Sequence, residues 1–132
     1  MTYVDRVTRC ILGWALTHER NERLFQAILD QTPQAAFYYS DALPTYEALI
    51  YYPGHHRAMS DKSQTYSVDG DNADLRHYLA RLARRSRCFS RCPDALRVAV
   101  RLFVFCYNSR QLYKQRHPGY PAHLFQFVSP AV

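Results

Sequence analysis

The sequence predicts an α/β chain with its strands early and its basic helices late. Three observations carry this. Apolar residues alternate or run together in short stretches before residue 41, they recur at helical spacing from about residue 71 onward, and the charge divides sharply between the halves. After Leu75 stand eleven basic residues (Arg76, Arg81, Arg84, Arg85, Arg87, Arg91, Arg97, Arg101, Arg110, Lys114 and Arg116) against Asp94 alone, a net of +10. Residues 1–75 carry six basic and ten acidic side chains. A positive field of this density suits a polyanion such as nucleic acid, because bound phosphates release counterions.

Taken in order, Thr2 to Val4 and Cys10 to Leu16 read as two strands joined by the polar turn Asp5 to Arg9, a hairpin. Asn21 to Gln31 places Leu24, Phe25, Ile28 and Leu29 on one helical face, and Pro33 ends it. Ala35 to Tyr39 reads as a buried strand with Ser40-Asp41 at its tip. Pro44 opens a short helix through Ile50, which Pro53-Gly54 stops. Residues 54–67, with His55, His56, Arg57, Asp61 and Lys62, read as a polar loop. A long helix then runs from Val68 or Asp71 to Arg87 on a stripe of Leu75, Tyr78, Leu79 and Leu82. Ser90 and Pro93 interrupt it. A last helix spans Pro93 to Arg116, with Leu96, Val100, Phe103, Val104 and Tyr107 on one side, and Pro118-Gly119 closes it.

The 132 residues suffice for one domain with a modest core. Eleven tyrosines against one tryptophan imply a core whose edges need polar partners. The N-terminus lacks the apolar stretch of a signal peptide, and the apolar runs are too short and too basic to span a bilayer, so a cytoplasmic protein is expected. Disulfides are not expected there among Cys10, Cys88, Cys92 and Cys106. Cys88 and Cys92 would share a helix face, but His55-His56 lies at no compact zinc spacing from them.

Three carboxylates stand at positions suited to chemistry. Asp41 follows a strand, while Asp69 and Asp71 stand near the start of a helix. Oxygen ligands converging from a strand tip and a helix start suit magnesium, and paired magnesium ions suit phosphoryl transfer. Each residue also has a plainer role. Asp41 can cap the helix at Pro44, and Asp69 or Asp71 can complement a helix dipole.

The stretches Ser40-Asp41-Ala42-Leu43-Pro44-Thr45-Tyr46, Thr65 to Leu82 (with Asp69-Gly70-Asp71-Asn72 and His77-Tyr78-Leu79-Ala80-Arg81-Leu82) and Arg85 to Ser90 resemble transposases of the insertion-sequence-one class. The similarity runs from about Val4 to Tyr113. It implies a partial ribonuclease-H-like domain of the DDE type, an antiparallel hairpin plus one further strand with helices, followed by basic C-terminal helices. It further implies transposition chemistry on insertion-sequence DNA with two magnesium ions. Asp41 matches the second catalytic Asp, Asp69 the catalytic Glu, and Asn72 the Asn after it. Asp41 and Asp69 would be metal ligands, and Arg76, Arg81, Arg84, Arg85 and Arg87 would contact DNA.

The chain departs from the family pattern in three places. Asp69 is one methylene shorter than Glu, and Ala42 and Leu43 replace a Gly and an aromatic. The first catalytic Asp has no counterpart, since Asp5 matches a residue of the second strand. The chain therefore reads as N-terminally truncated. Two alternatives stand beside the enzyme reading: an inactive DNA-binding fragment that inhibits, or assembles with, full-length transposase, and an unrelated RNA-binding protein. Self-association as a homo-oligomer is also expected, since a missing strand leaves an open sheet edge.

Overall fold

A computed structural model describes residues 1–17, 19–61, 63, 65–79, 92–119 and 123–127. It is a mixed α/β structure. The order is β1 (Thr2–Val4), β2 (Ile11–Trp14), α1 (Glu22–Gln31), β3 (Phe37–Asp41), α2 (Pro44–Glu47), β4 (His55–Met59), α3 (Tyr66–Tyr78), α4 (Pro93–Arg116) and a 3₁₀ turn over Leu124–Phe127. Strands β1 and β2 form one two-stranded sheet, and β3 and β4 form another. The chain gathers into two compact units, Met1–Val4 with Leu12–Gly70 and Asp5–Ile11 with Asp71–Val132.

In the first unit, α1 starts where its side-chain chemistry dictates. The Asn21 carboxamide oxygen accepts the Arg23 and Leu24 amides at 3.0 and 3.2 Å, satisfying donors that the first helical turn leaves orphaned. Phe25 and Leu29, four apart, face inward and meet Leu49, with Met1, Tyr3, Tyr38, Tyr46 and Tyr51 packed around them. This core is tyrosine-rich, and its hydroxyls reach main-chain carbonyls. Tyr3 donates to Phe25 at 3.3 Å and Tyr51 to Tyr46 at 2.8 Å. Phe25 and Tyr46 stack at 5.8 Å between ring centroids.

The segment read as a polar loop is partly a strand. Residues His55 to Met59 form β4, parallel to β3 in the register Phe37–His55, Tyr38–His56, Tyr39–Arg57, Ser40–Ala58 and Asp41–Met59. Nothing in His-His-Arg-Ala-Met carries a β-branched or alternating apolar signal, so local propensity is silent there. Cross-strand side chains supply what propensity lacks. His55 lies against Phe37 with centroids 6.0 Å apart, and the Arg57 guanidinium sits 5.4 Å from the same ring.

Smaller corrections concern boundaries. Strand β2 is Ile11–Trp14 rather than Cys10 to Leu16, β3 starts at Phe37 rather than Ala35, and α2 stops at Glu47 rather than Ile50. Helix α3 begins at Tyr66, ahead of the carboxylates. The stretch expected to extend it to Arg87, Leu82 included, lies outside the described residues.

Gly54 is required by close approach. A Cβ there would run into the Ala35 carbonyl and stand 2.6 Å from a Tyr38 ring carbon.

In the second unit, α4 buries Val100, Phe103, Cys106 and Tyr107, the last being 1% exposed. Leu75 of α3 is also buried, and Tyr78 meets Phe103 at 6.1 Å. The hairpin loop belongs to this unit. The Asn108 carboxamide accepts the Ile11 amide at 2.7 Å and donates to the Ile11 carbonyl at 2.8 Å, serving Ile11 as a strand partner would. Near the middle of α4, the Cys106 thiol donates to the Phe127 carbonyl at 3.3 Å and holds the 3₁₀ turn.

Two outcomes follow from the first unit. Gly54→Ala forces either the Ala35 backbone or the Tyr38 ring to move, an overpacking cost of about 1–3 kcal/mol; chemical denaturation will show a lowered midpoint. Burial pushes the Tyr51 hydroxyl up to about 12 from the usual 10.0, and raises Tyr46 and, still further, Tyr3. A raised pKa in the fold means stability that is complete below pH 10 and lost as pH rises through about 12. Phenolate absorbance will accordingly show a late-ionising class of tyrosines whose release coincides with unfolding.

Candidate functional site

Asp41 is the last residue of β3, and its register partner Met59 is the last of β4. The carboxyl ends of two parallel strands thus share one edge, the side on which open parallel sheets bind their ligands. The Asp41 side chain is exposed there. Asp61, two residues beyond β4, accepts the Ser63 amide at 3.2 Å and the Ser63 hydroxyl at 2.7 Å. By its sequence alone Asp61 is one of several polar residues in a loop. With β4 recognised, it belongs to the strand-end loop on the same edge as Asp41.

A short relay braces this edge. The Ser40 hydroxyl donates to the Asp41 carbonyl at 2.8 Å and lies 2.8 Å from His56 Nε2. A hydroxyl has one proton to give, so with that proton on the carbonyl the imidazole is the donor to Ser40. The His56 ring lies flat on Tyr51, with centroids 4.2 Å apart and planes 9° apart. Burial lowers the His56 pKa from its usual 6.5, and Glu47 opposes that shift. The result is a neutral, Nε2-protonated imidazole that steadies the strand tip carrying Asp41. Neither Ser40 nor His56 stood out in the sequence, since the pairing depends on β4 being a strand.

Asp69 stands in the first turn of α3, exposed, where a negative charge complements the helix dipole. It belongs to the same compact unit as Asp41. Among the described residues, no group of three or more His, Cys, Asp or Glu side chains comes together to hold a metal ion. Asp5 serves the hairpin loop. Its carboxylate accepts the Thr8 hydroxyl and the Thr8 amide, and these bonds, led by the hydroxyl, lower its pKa.

Of the arginines assigned to DNA, Arg76 is exposed in the last turn of α3. Arg81, Arg84, Arg85 and Arg87 lie outside the described residues. Helix α4 adds Arg97 and Arg101, four apart and exposed, and Arg110 and Lys114, four apart on a different face. No described helix is long and apolar enough to cross a membrane.

Because folding favours the neutral form of His56, its contribution to stability is complete above pH 6.5 and is lost as pH falls through the lowered folded value. Imidazole NMR will place the His56 titration below that of free histidine. The fall in melting temperature on acidification will be shallower in His56→Gln than in the unmodified protein.

No protein-family model matches this chain, and no curated protein or solved structure matches it.

Proposed function

We propose that this chain is a transposase-derived, ribonuclease-H-like protein of the insertion-sequence-one class that binds duplex DNA through its phosphates. The observation that carries the reading is the position of Asp41. It closes a strand at the carboxyl edge of a parallel pair, and the first turn of the next long helix holds Asp69, followed by the arginine-rich half of the chain. This is the order in which the resemblance sets its second carboxylate, its third carboxylate and its basic helix. In the intact enzymes to which the resemblance points, two magnesium ions serve cleavage and joining of phosphodiesters. Asp41 and Asp69 are the residues that would hold them here. The function proposed for this chain is DNA capture, at insertion-sequence ends and alongside transposase subunits.

Arginine suits the role because its planar guanidinium meets phosphate oxygens in a fork and does not lose its charge. Neutralising about five phosphates gives a log–log salt dependence of affinity with a slope of roughly −4 to −5. Fluorescence anisotropy with duplex DNA over a salt series will show this slope. Arg81→Ala, Arg84→Ala and Arg85→Ala together will weaken binding for every sequence and flatten it, while Asp41→Asn will leave binding intact. A slope near zero would overturn the proposal. Tighter binding of RNA than of DNA in the same assay would replace it with an RNA-binding function.

A further inference from the structure

We propose that the outward face of the β3–β4 pair, around Phe37, His55 and Arg57, is a stacking platform for the unpaired bases of single-stranded DNA. The period of two along each strand divides the pair into two faces. Tyr38 and His56, partners in register, turn toward the core side, where the Tyr51 ring meets both, at 5.1 and 4.2 Å between centroids. The register pairs Phe37–His55, Tyr39–Arg57 and Asp41–Met59 belong to the other face. There Phe37 is 50% exposed, and His55 and Arg57 are exposed beside it. The three side chains form one cluster. The His55 ring lies 6.0 Å from the Phe37 ring and 35° from its plane, and the Arg57 guanidinium sits 5.4 Å from the Phe37 ring centre.

The chemistry of this face selects its occupant. An apolar protein surface or an acyl chain is matched by aliphatic bulk, and Met59 alone of the six register positions is apolar without being aromatic. What the face offers instead is flat: phenyl, phenol, imidazole and guanidinium groups. Nucleobases stack on such groups regardless of sequence, because every base has a π-face, and sheet aromatics can take two or three successive bases in this way. The rungs Phe37–His55 and Tyr39–Arg57 stand roughly 7 Å apart, which gives two neighbouring bases a place each. Arg57 brings a stacking plane and also a permanent positive charge for the phosphate that accompanies a base. Asp41, the one carboxylate among the six, closes the face at the end away from Phe37 and His55, so the strand is received at the aromatic end. A duplex keeps the π-faces of its bases inside its own stack, so the platform takes unpaired nucleotides. It uses none of the arginines assigned to duplex phosphates; the choice of DNA over RNA rests on the function proposed above.

Fluorescence anisotropy on the full chain, with labelled oligodeoxythymidylate beside a duplex of equal length, reads this directly. Phe37→Ala will weaken binding of the single strand about tenfold and leave the duplex affinity and the far-ultraviolet circular dichroism unchanged. Phe37→Leu, which keeps apolar bulk without a π-face, will behave like Phe37→Ala, whereas Phe37→Trp will bind the single strand at least as tightly as the unmodified protein. Single-strand affinity that is indifferent to Phe37→Ala overturns the proposal. So does a Phe37→Leu protein that binds as well as the unmodified one, or an equal loss on single strand and duplex. Oligouridylate bound more tightly than oligodeoxythymidylate overturns the assignment to DNA. Loss of duplex binding alone would remove the preceding proposal and leave the Phe37-dependent single-strand site standing.

Discussion

The parallel pairing of β3 and β4 is the constraint on which the candidate site depends. Parallel strands need a crossover connection, and here Ala42 to Gly54 provides it, with α2 and the Tyr51 turn packed back against the core. Its consequence is directional. Both strands run to the same edge, so Asp41 at the end of one and the Asp61 loop after the other are delivered to one side. An antiparallel pair would have sent the two ends to opposite sides. The close approach of Gly54 to Ala35 and Tyr38 is the steric condition for starting β4 in register with β3.

The tyrosines connect this pairing to the core. Tyr3, Tyr38, Tyr46 and Tyr51 each present a ring to the Phe25–Leu29–Leu49 cluster. The Tyr3 and Tyr51 hydroxyls donate to main-chain carbonyls and the Tyr38 hydroxyl accepts the Ala35 amide, so a small unit gains large apolar area while these oxygens stay paired. Tyr51 does double duty, since one side of its ring meets the core and the ring also stacks on His56. Through His56 and Ser40, the packing of an aromatic core is linked to the main chain of the exposed carboxylate residue. The second unit solves a similar problem with an amide. Asn108 pairs both polar groups of Ile11, which lets Cys10 and Ile11 be buried beside α4 without orphaned main-chain donors or acceptors.

Helix α4 shows how much the same side chains can support at once. Its inward row carries the core of its unit, its outward row is apolar and exposed, and its charged residues lie between and at the ends.

What the sequence determined by itself is whatever local chemistry dictates. The helical stretch from Asn21 to Gln31, with Phe25 and Leu29 at four-residue spacing, and Pro44 at the start of α2 rest on residues within a few turns of chain. The α4 boundaries at Pro93 and Arg116 could likewise be read from Pro and Gly punctuation and from the Val100–Phe103–Tyr107 period. The tertiary structure alone decided the rest. His55 to Met59 is supported as a strand by Phe37, whose ring meets His55 and Arg57 from far back along the chain, and by Tyr51, whose ring stacks on His56. The Ser40–His56–Asp41 relay follows only once that strand is in register. Likewise, periodicity located α4 but could not say that its second apolar row would stay exposed. Which side of a helix is covered depends on the partners that folding brings to it, and a helix apolar on both sides carries no local mark of which side that will be.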